Sequence, residues 1–181
     1  MPKIIIPSLS QARKESFANR GIHLVESITA PEFEQVIAAY LASHNVLHLA
    51  TCMNNEVRST TLEYFNNGLT VYILSEGGGK LTNLKANPTV SYTVADPYNP
   101  KKDFFSASGI QVWGAASVFR KNDAPDTFSE IYRHSRTADS LKQQNLGSQA
   151  DRVNFYVITI VPEKINYINY RQGYRKTTWE R

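Results

Sequence analysis

The sequence has little of what builds disulfide frameworks, metal clusters and membrane spans. Cys52 is the single cysteine among 181 residues, which excludes a disulfide framework and any multi-cysteine zinc or iron–sulfur site. No apolar run approaches the ~18–20 residues that a membrane-spanning helix needs. The opening segment MPKIIIP also has too short an apolar stretch for a signal peptide. We therefore expect a cytoplasmic protein without a membrane partner.

A surplus of positive charge is missing from the middle of the chain. The 20 Lys and Arg residues exceed the 16 Asp and Glu residues by four. Residues 1–20 hold four basic residues and one acidic residue, and residues 163–181 hold five basic and two acidic residues. Each end carries a surplus of +3, which leaves −2 for the rest of the chain. Because a surplus confined to the ends does not make a broad basic face, we expect no nucleic-acid partner.

Strand patterns dominate the rest of the sequence. Ten Tyr, eight Phe and two Trp residues, with many Val, Ile and Thr, favour β-structure. Alternation predicts six or seven short strands, over 46–52, 57–65, 69–74, 89–94, 109–119, 155–161 and 164–170. Tight turns are predicted at Asn54-Asn55 and at Asn66-Asn67-Gly68. Strands linked mostly by hairpins, with helices at the edges, favour a small antiparallel barrel.

The clearest helix signal lies just before the first of these strands. Thr29 and Glu32 form a capping-box pattern with Pro31 in the first turn, and an apolar stripe follows from Phe33. This pattern predicts a helix that ends near residues 43–45. Other, shorter helices are predicted over 10–19, over 81–87 and after Asn122 or Asp123.

The segment Ser75-Glu76-Gly77-Gly78-Gly79-Lys80 is the sharpest candidate for a binding site. Three glycines let backbone N–H groups turn toward an anion, and a helix start and a lysine follow at once. The segment lacks the spacing of a Walker A loop. A flexible loop between a strand and a helix is the alternative, and the motif alone does not decide between them.

A second candidate is the strand segment that contains Arg58. Arginine offers forked donors to a phosphate, and Ser59, Thr60 and Thr61 add neutral hydroxyl groups. Because side chains alternate along a strand, Ser59 and Thr61 share one face while Arg58 and Thr60 share the other. A solvated arginine on a half-exposed strand is the alternative interpretation.

Further candidates are an aromatic–amide pair and the histidines. Gln111 and Trp113 point the same way along one strand and would suit a planar heterocycle, although tryptophan is also common in β cores. His48 is expected to be a satisfied core histidine, and Cys52 a small buried side chain. No spacing of ligands predicts a metal site, and no side chain is identified as catalytic.

The order of these segments resembles one known family. The segments are His48–Thr51, Val57–Thr60, Leu69–Ser75, Lys80 with Asn87-Pro88, and Gln111–Ala115. Together they are similar to the pyridoxamine 5′-phosphate oxidase-like FMN-binding split-barrel family. The ending, with Lys164–Tyr167, Gly173–Lys176 and Trp179, resembles the single-domain YhbP-type members.

The resemblance implies a fold, a cofactor and an assembly. The fold is a mainly β, six-stranded antiparallel split barrel of Greek-key topology with flanking helices, over residues 29–181. Residues 1–28 form an N-terminal extension that packs on the barrel or on the partner. Two FMN sites lie at the interface of a homodimer. The implied FMN-binding residues are Arg58, Ser59, Thr60, Thr61, Leu74, Ser75, Lys80 and, from the partner chain, Gln111 and Trp113.

Departures from the family pattern bear on the activity. Glu63 stands where true pyridoxamine phosphate oxidases carry a lysine, and no histidine follows His134 for their C-terminal Arg-x-His. We therefore expect a flavin-dependent oxidoreductase with a different, unidentified substrate. One alternative is a non-enzymatic flavin or haem binder, with His48 or His134 as axial ligand. A dimeric interaction module without a cofactor is another.

Overall fold

The chain folds around one antiparallel sheet. A computed structural model describes residues 1–135, 143–144 and 152–181. The strands in these residues are β1 (Lys3–Ile5), β2 (Val46–Met53), β3 (Glu56–Glu63), β4 (Phe65–Asn67), β5 (Thr70–Ser75), β6 (Thr89–Ala95), β7 (Ser108–Arg120), β8 (Tyr156–Asn169) and β9 (Tyr174–Glu180). The α-helices are α1 (Gln11–Ala18), α2 (Ala30–Ala42), α3 (Gly79–Ala86) and α4 (Pro125–Tyr132). The expectation of a mainly β fold with flanking helices is confirmed.

Six of the strands form the barrel. They run in the order β3-β2-β6-β7-β8-β5, and each neighbouring pair is antiparallel. The two end strands, β3 and β5, contact each other without a backbone ladder in the described part of the chain. The three short or terminal strands extend this barrel, because β4 pairs with β5, β9 pairs with β8 and β1 pairs with β9. The barrel is therefore split between β3 and β5.

The Asn-rich turns form as predicted. Asn54 and Asn55 both adopt positive φ angles, 52° and 63°, and close the β2–β3 hairpin with Met53 opposite Glu56. Gly68 has a φ of 57° in the turn that joins β4 to β5. Asn and Gly tolerate this left-handed region, which matches the twist of the flanking strands.

The last strands differ from the prediction. A break at Pro162 was expected, but β8 runs through Pro162 as one strand. A register shift between Trp113 and Gly114 places Gly114 opposite Pro162, and such a bulge accommodates a residue that has no N–H to donate. The aromatic and basic ending was not predicted as a strand, yet it forms β9 with Trp179 buried.

Helix α2 closes one side of the barrel. The capping box is present, because Glu32 Oε2 accepts from the backbone N–H of Thr29 at 3.0 Å and the Thr29 hydroxyl accepts from the N–H of Glu32. Phe33, Ile37 and Leu41 are fully buried in the core. In the described residues, no helix combines the length and apolar character needed to cross a membrane.

Hydrogen bonds to Asp96 hold the loop over residues 96–107 to the barrel. Asp96 accepts a hydrogen bond from the Tyr40 hydroxyl at 3.3 Å and lies 2.9 Å from His44 Nε2, and the Ser108 hydroxyl also donates to it. Burial opposes the charge on Asp96, but the hydrogen bonds from Ser108 and His44 outweigh this effect and lower its pKa. The cluster therefore anchors both ends of the loop to the barrel.

The bulge at Gly114 generates a test of the register between β7 and β8. A Cβ atom on Gly114 would overlap the carbonyl oxygen of Val161. Replacing Gly114 by Ala should therefore lower the free energy of unfolding by about 3 kcal/mol, measured by urea denaturation. The exposed neighbouring change Ala115→Ser should stay within about 0.5 kcal/mol of the wild type. Equal stability of Gly114→Ala and wild type would contradict this close approach.

Candidate functional site

The connection from β5 to α3 presents the start of a helix at the sheet end. Ser75 is buried at the end of β5, where its hydroxyl accepts from the N–H of Gly77 at 3.2 Å and donates to the Gly77 carbonyl at 3.1 Å. Gly78 then adopts a φ of 102°, a backbone conformation that is strained for any residue with a side chain. Helix α3 begins at the next residue, Gly79. The glycine run thus makes the sharp turn from strand to helix.

The guanidinium group of Arg58 lies directly over this helix start. A Cβ atom on Gly79 would be 3.0 Å from Cζ of Arg58, so the guanidinium packs closely against the glycine backbone. Arg58 is exposed, and no carboxylate forms an ion pair with it in the described part of the chain. The hypothesis that Arg58 and the glycine loop form one site is therefore supported by their geometry.

Lys80 adds a second cation beside Arg58. Its Nζ donates to the Gly77 carbonyl at 2.7 Å. Burial lowers the pKa of Lys80, and the positive charge of Arg58 lowers it further. Two like charges are thus held together at the positive end of a helix, whose first N–H groups, of Gly79 and Lys80, have no acceptor within the described residues. This is the electrostatic pattern of an anion site.

A buried hydrogen bond docks α3 against the sheet. Asn83 Nδ2 donates to Thr51 Oγ1 at 3.0 Å, and both residues are buried. Thr51 is the cross-strand partner of Arg58, so the same contact sets the distance between Arg58 and α3. Sequence reasoning missed this pair. The available signal was Thr51 itself, a polar residue in phase with Leu47 and Leu49 on the buried face of β2.

A cavity of about 480 Å³ opens at this point. It is lined by Met53, Glu56, Val57, Arg58, Ser59, Gly79, Thr82 and Asn83. This volume lies within the range of ligand sites in proteins, about 300–1,000 Å³. The cavity joins the β3 edge to the first turn of α3.

The hydroxyl residues of β3 divide between the two faces as predicted. Arg58 and Thr60 lie opposite Thr51 and Leu49, whose side chains are buried. Ser59 and Thr61 point outward and are exposed. On β5, the half-exposed Leu74 lies on the face opposite to that of buried Ser75. The structure therefore brings Arg58, Ser75 and Lys80 to one strand–helix corner, with Ser59 at its edge.

Gln111 and Trp113 do not belong to this corner within one chain. The register places Gln111 in the same cross-strand row as Thr61, with β2 and β6 between them. Three strand spacings of about 4.8 Å separate β3 from β7, so Gln111 and Thr61 are about 14 Å apart. Both side chains lie on the outer face, with Gln111 exposed and Trp113 half-buried.

Two expectations about the outer face are wrong. His48 is exposed on this face, where its Nδ1 lies 3.0 Å from Thr61 Oγ1, so it is not a core histidine. Cys52 is only partly buried. Both residues alternate along β2 with Leu47, Leu49 and Thr51, whose side chains form the buried face of this strand.

Comparison with known proteins identifies the family. The family model of pyridoxamine 5′-phosphate oxidase matches residues 33–169, about three quarters of the chain. The chain therefore belongs to the pyridoxamine 5′-phosphate oxidase family. No curated protein sequence matches it significantly.

Solved structures show the same fold at low identity. General stress protein 26 from Bacillus anthracis str. Sterne superposes with a TM-score of 0.53 at 21% identity, over 76% of this chain and 95% of that chain. An FAD-binding protein from Mesorhizobium loti gives 0.55 at 16% identity, over 85% and 96%. A heme binding protein from Mycobacterium smegmatis gives 0.58 at 18% identity, over 86% of this chain and 59% of that chain.

The Thr51–Asn83 contact generates a stability test. Thr51→Val removes the acceptor and leaves the buried Asn83 amide without a partner, which should cost about 1–3 kcal/mol in urea unfolding. The double variant Thr51→Val/Asn83→Leu should recover part of this loss, since no buried donor remains unpaired. Thr82→Val, an exposed change on the same helix, should stay within about 0.5 kcal/mol. If the double variant loses as much stability as Thr51→Val and Asn83→Leu lose together when each is made singly, a direct hydrogen bond between the two residues is contradicted.

Proposed function

We propose that this protein binds FMN and acts as a flavin-dependent oxidoreductase. The observation that carries the proposal is the corner of Arg58, Lys80 and the first turn of α3. There two cations lie side by side without an anion from the described chain, and the N–H groups of Gly79 and Lys80 are free. A phosphate group would remove the repulsion and accept these donors. Membership of the pyridoxamine 5′-phosphate oxidase family adds support for a flavin.

The residues of the corner fit the phosphate of FMN in different ways. Arg58 offers a planar fork of donors, and Lys80 beside it offers a compact charge. Ser75 shapes the turn through its two hydrogen bonds to Gly77. The cavity of about 480 Å³ runs from this corner along β3, between Ser59 and Met53. The ring is proposed to lie beside this cavity, against the backbone and hydroxyl groups around Ser59, Thr60 and Thr61.

The second half of the site is proposed to come from another copy of the chain. Gln111 and Trp113 lie about three strand spacings from β3, too far to meet the same ring within one subunit. Both face outward from β7, and their cross-strand neighbours on β6 and β8 are polar: Thr93 and Asn166 for Gln111, Ser91 and Lys164 for Trp113. In a homodimer that pairs these faces, Gln111 could hydrogen-bond the ring edge and Trp113 could cover the ring.

Bound FMN supplies hydride or electron transfer, and the chain positions it. Arg58 and Lys80 would hold the phosphate end of the cofactor. We do not propose pyridoxamine phosphate oxidation, because Glu63 and the ending after His134 depart from the pattern of that enzyme. The substrate of the proposed oxidoreductase is therefore a different one.

Removal of both cations should abolish FMN retention. In Arg58→Gln/Lys80→Gln, FMN affinity should fall by at least about 100-fold, because each charge-assisted hydrogen bond contributes about 1.5–3 kcal/mol. Affinity is measured by quenching of flavin fluorescence. Riboflavin, which lacks the phosphate, should bind wild type and variant equally.

The matched control, Lys85→Gln/Lys102→Gln, removes the same number of positive charges from two exposed lysines elsewhere on the chain. It should keep the FMN affinity of the wild type, since neither residue lies at the cavity. A purified Arg58→Gln/Lys80→Gln protein that stays yellow after dialysis would refute the phosphate assignment.

Subunit mixing tests the contribution of Gln111 and Trp113 from the partner. Each homodimer of Arg58→Gln/Lys80→Gln and of Gln111→Ala/Trp113→Ala should bind FMN poorly. A mixed dimer contains one intact composite site, so it should bind one FMN for every two chains, measured by absorbance of tag-purified heterodimers. Mixed dimers that bind no FMN would show that the two groups do not meet across an interface.

Haem binding is a second candidate, favoured by the position of His48. Its Nδ1 faces Thr61, which leaves Nε2 without a partner among the described residues, on an exposed surface. Imidazole is a common axial ligand of haem iron. The heme binding protein from Mycobacterium smegmatis shares the fold. The absorption spectrum of the purified protein separates the candidates, because haem gives a Soret band and FMN gives flavin bands.

A further inference from the structure

The two basic ends of the chain meet at one pocket. Strand β1 pairs with β9, and α1 follows β1 along the same edge of the barrel. Between α1, β9 and the 96–107 loop lies a cavity of about 330 Å³. Its lining is Arg13, Ser16, Phe17, Arg20, Phe105 and Arg175, which we call the arginine pocket. It shares no residue with the cavity at α3.

The three arginines of this pocket carry charges that no ion pair of the described chain compensates. Three other basic residues of the two ends do have acidic partners: Lys14 pairs with Glu26 at 2.8 Å, Lys164 with Glu180 at 2.7 Å and Arg171 with Asp103 at 2.7 Å. Among the described residues, no carboxylate lies within ion-pair distance of the three lining arginines. The lining therefore carries three positive charges and no negative charge.

Aromatic rings form the floor of the arginine pocket. Phe17 meets the edge of Phe105 with ring centroids 5.8 Å apart and stacks on Tyr170 at 6.2 Å. The guanidinium of Arg20 lies 5.9 Å from the centroid of Phe105. Phe104, which is 68% exposed, packs edge-on against Phe105 at the rim. Flat apolar surface and uncompensated charge thus lie together.

The aromatic floor is held in place from two sides. Asp103 forms a bidentate pair with Arg171, with both N···O distances at 2.7 Å. The Tyr98 hydroxyl donates to the carbonyl of Phe104 at 3.2 Å. The first contact ties the loop that carries Phe105 to the turn between β8 and β9, and the second braces the loop internally. The pocket is therefore built by the fold rather than by one exposed side chain.

We propose that the arginine pocket binds a small aromatic phosphate. Guanidinium forks match the oxygens of a phosphate, and three of them suit a dianion. Phe17 and Phe105 would pack against the aromatic ring of the ligand. The volume lies at the lower end of the range for ligand sites, which favours one ring with its phosphate over a dinucleotide. This proposal does not depend on the proposed flavin site.

Calorimetric titration of the full-length protein with phenyl phosphate tests the proposal. We expect saturable binding that is tighter than that of inorganic phosphate or of phenol. Arg13→Gln/Arg175→Gln should weaken phenyl phosphate by at least about tenfold. Phe105→Leu should weaken phenyl phosphate by about threefold or more while leaving inorganic phosphate unchanged. Adenosine monophosphate is the second probe, and tighter binding of it than of phenyl phosphate would assign the pocket to nucleotides.

Two controls keep the result specific. Arg133→Gln/Arg181→Gln removes the same amount of charge from exposed positions outside the pocket and should bind phenyl phosphate as the wild type does. Arg58→Gln/Lys80→Gln should also retain binding. The proposal is overturned if phenyl phosphate does not saturate, if inorganic phosphate binds equally well, or if binding is lost in Arg58→Gln/Lys80→Gln instead of in Arg13→Gln/Arg175→Gln.

Discussion

The backbone pairing of β8 is the constraint on which both candidate sites depend. Its first residues pair with β5, whose end at Ser75 opens the glycine turn, and its last residues pair with β9, which carries Arg175. A slip of one residue along β8 would turn every side chain of a neighbouring strand to the other face. The bulge opposite Pro162 prevents such a slip, since only Gly114 fits against the Val161 carbonyl.

Both sites have the same electrostatic character. Each gathers cations that the described chain leaves without carboxylate partners, around Arg58 and Lys80 in one case and around Arg13 and Arg175 in the other. Other charges of the fold are paired, as in the bidentate pair of Asp103 with Arg171. Uncompensated cations raise the free energy of the folded state, so their concentration at two cavities points to anions as ligands.

Local patterns in the sequence predict most of the barrel but not the contacts between distant segments. The turns at residues 54–55 and 66–68 follow from the tolerance of Asn and Gly for positive φ. The two parts of the proposed anion site, Arg58 and the glycine loop with Lys80, could each be predicted, because residue chemistry and the start of a helix are local features of the sequence. The Thr51–Asn83 bond could not, since tertiary packing alone brings β2 to α3. His48 was wrongly predicted to be in the core, because both faces of β2 contain apolar residues and the sequence does not show which face is buried.

Helix α1 contributes no buried side chain, although it supplies half of the arginine pocket. An element with so little buried apolar surface opens locally at a small fraction of the global unfolding free energy. Its amides should therefore exchange with solvent much sooner than those of β7 or β8. Occupancy of the pocket would then be linked to the folding of α1, and ligand concentration would set how much of the time this helix is ordered.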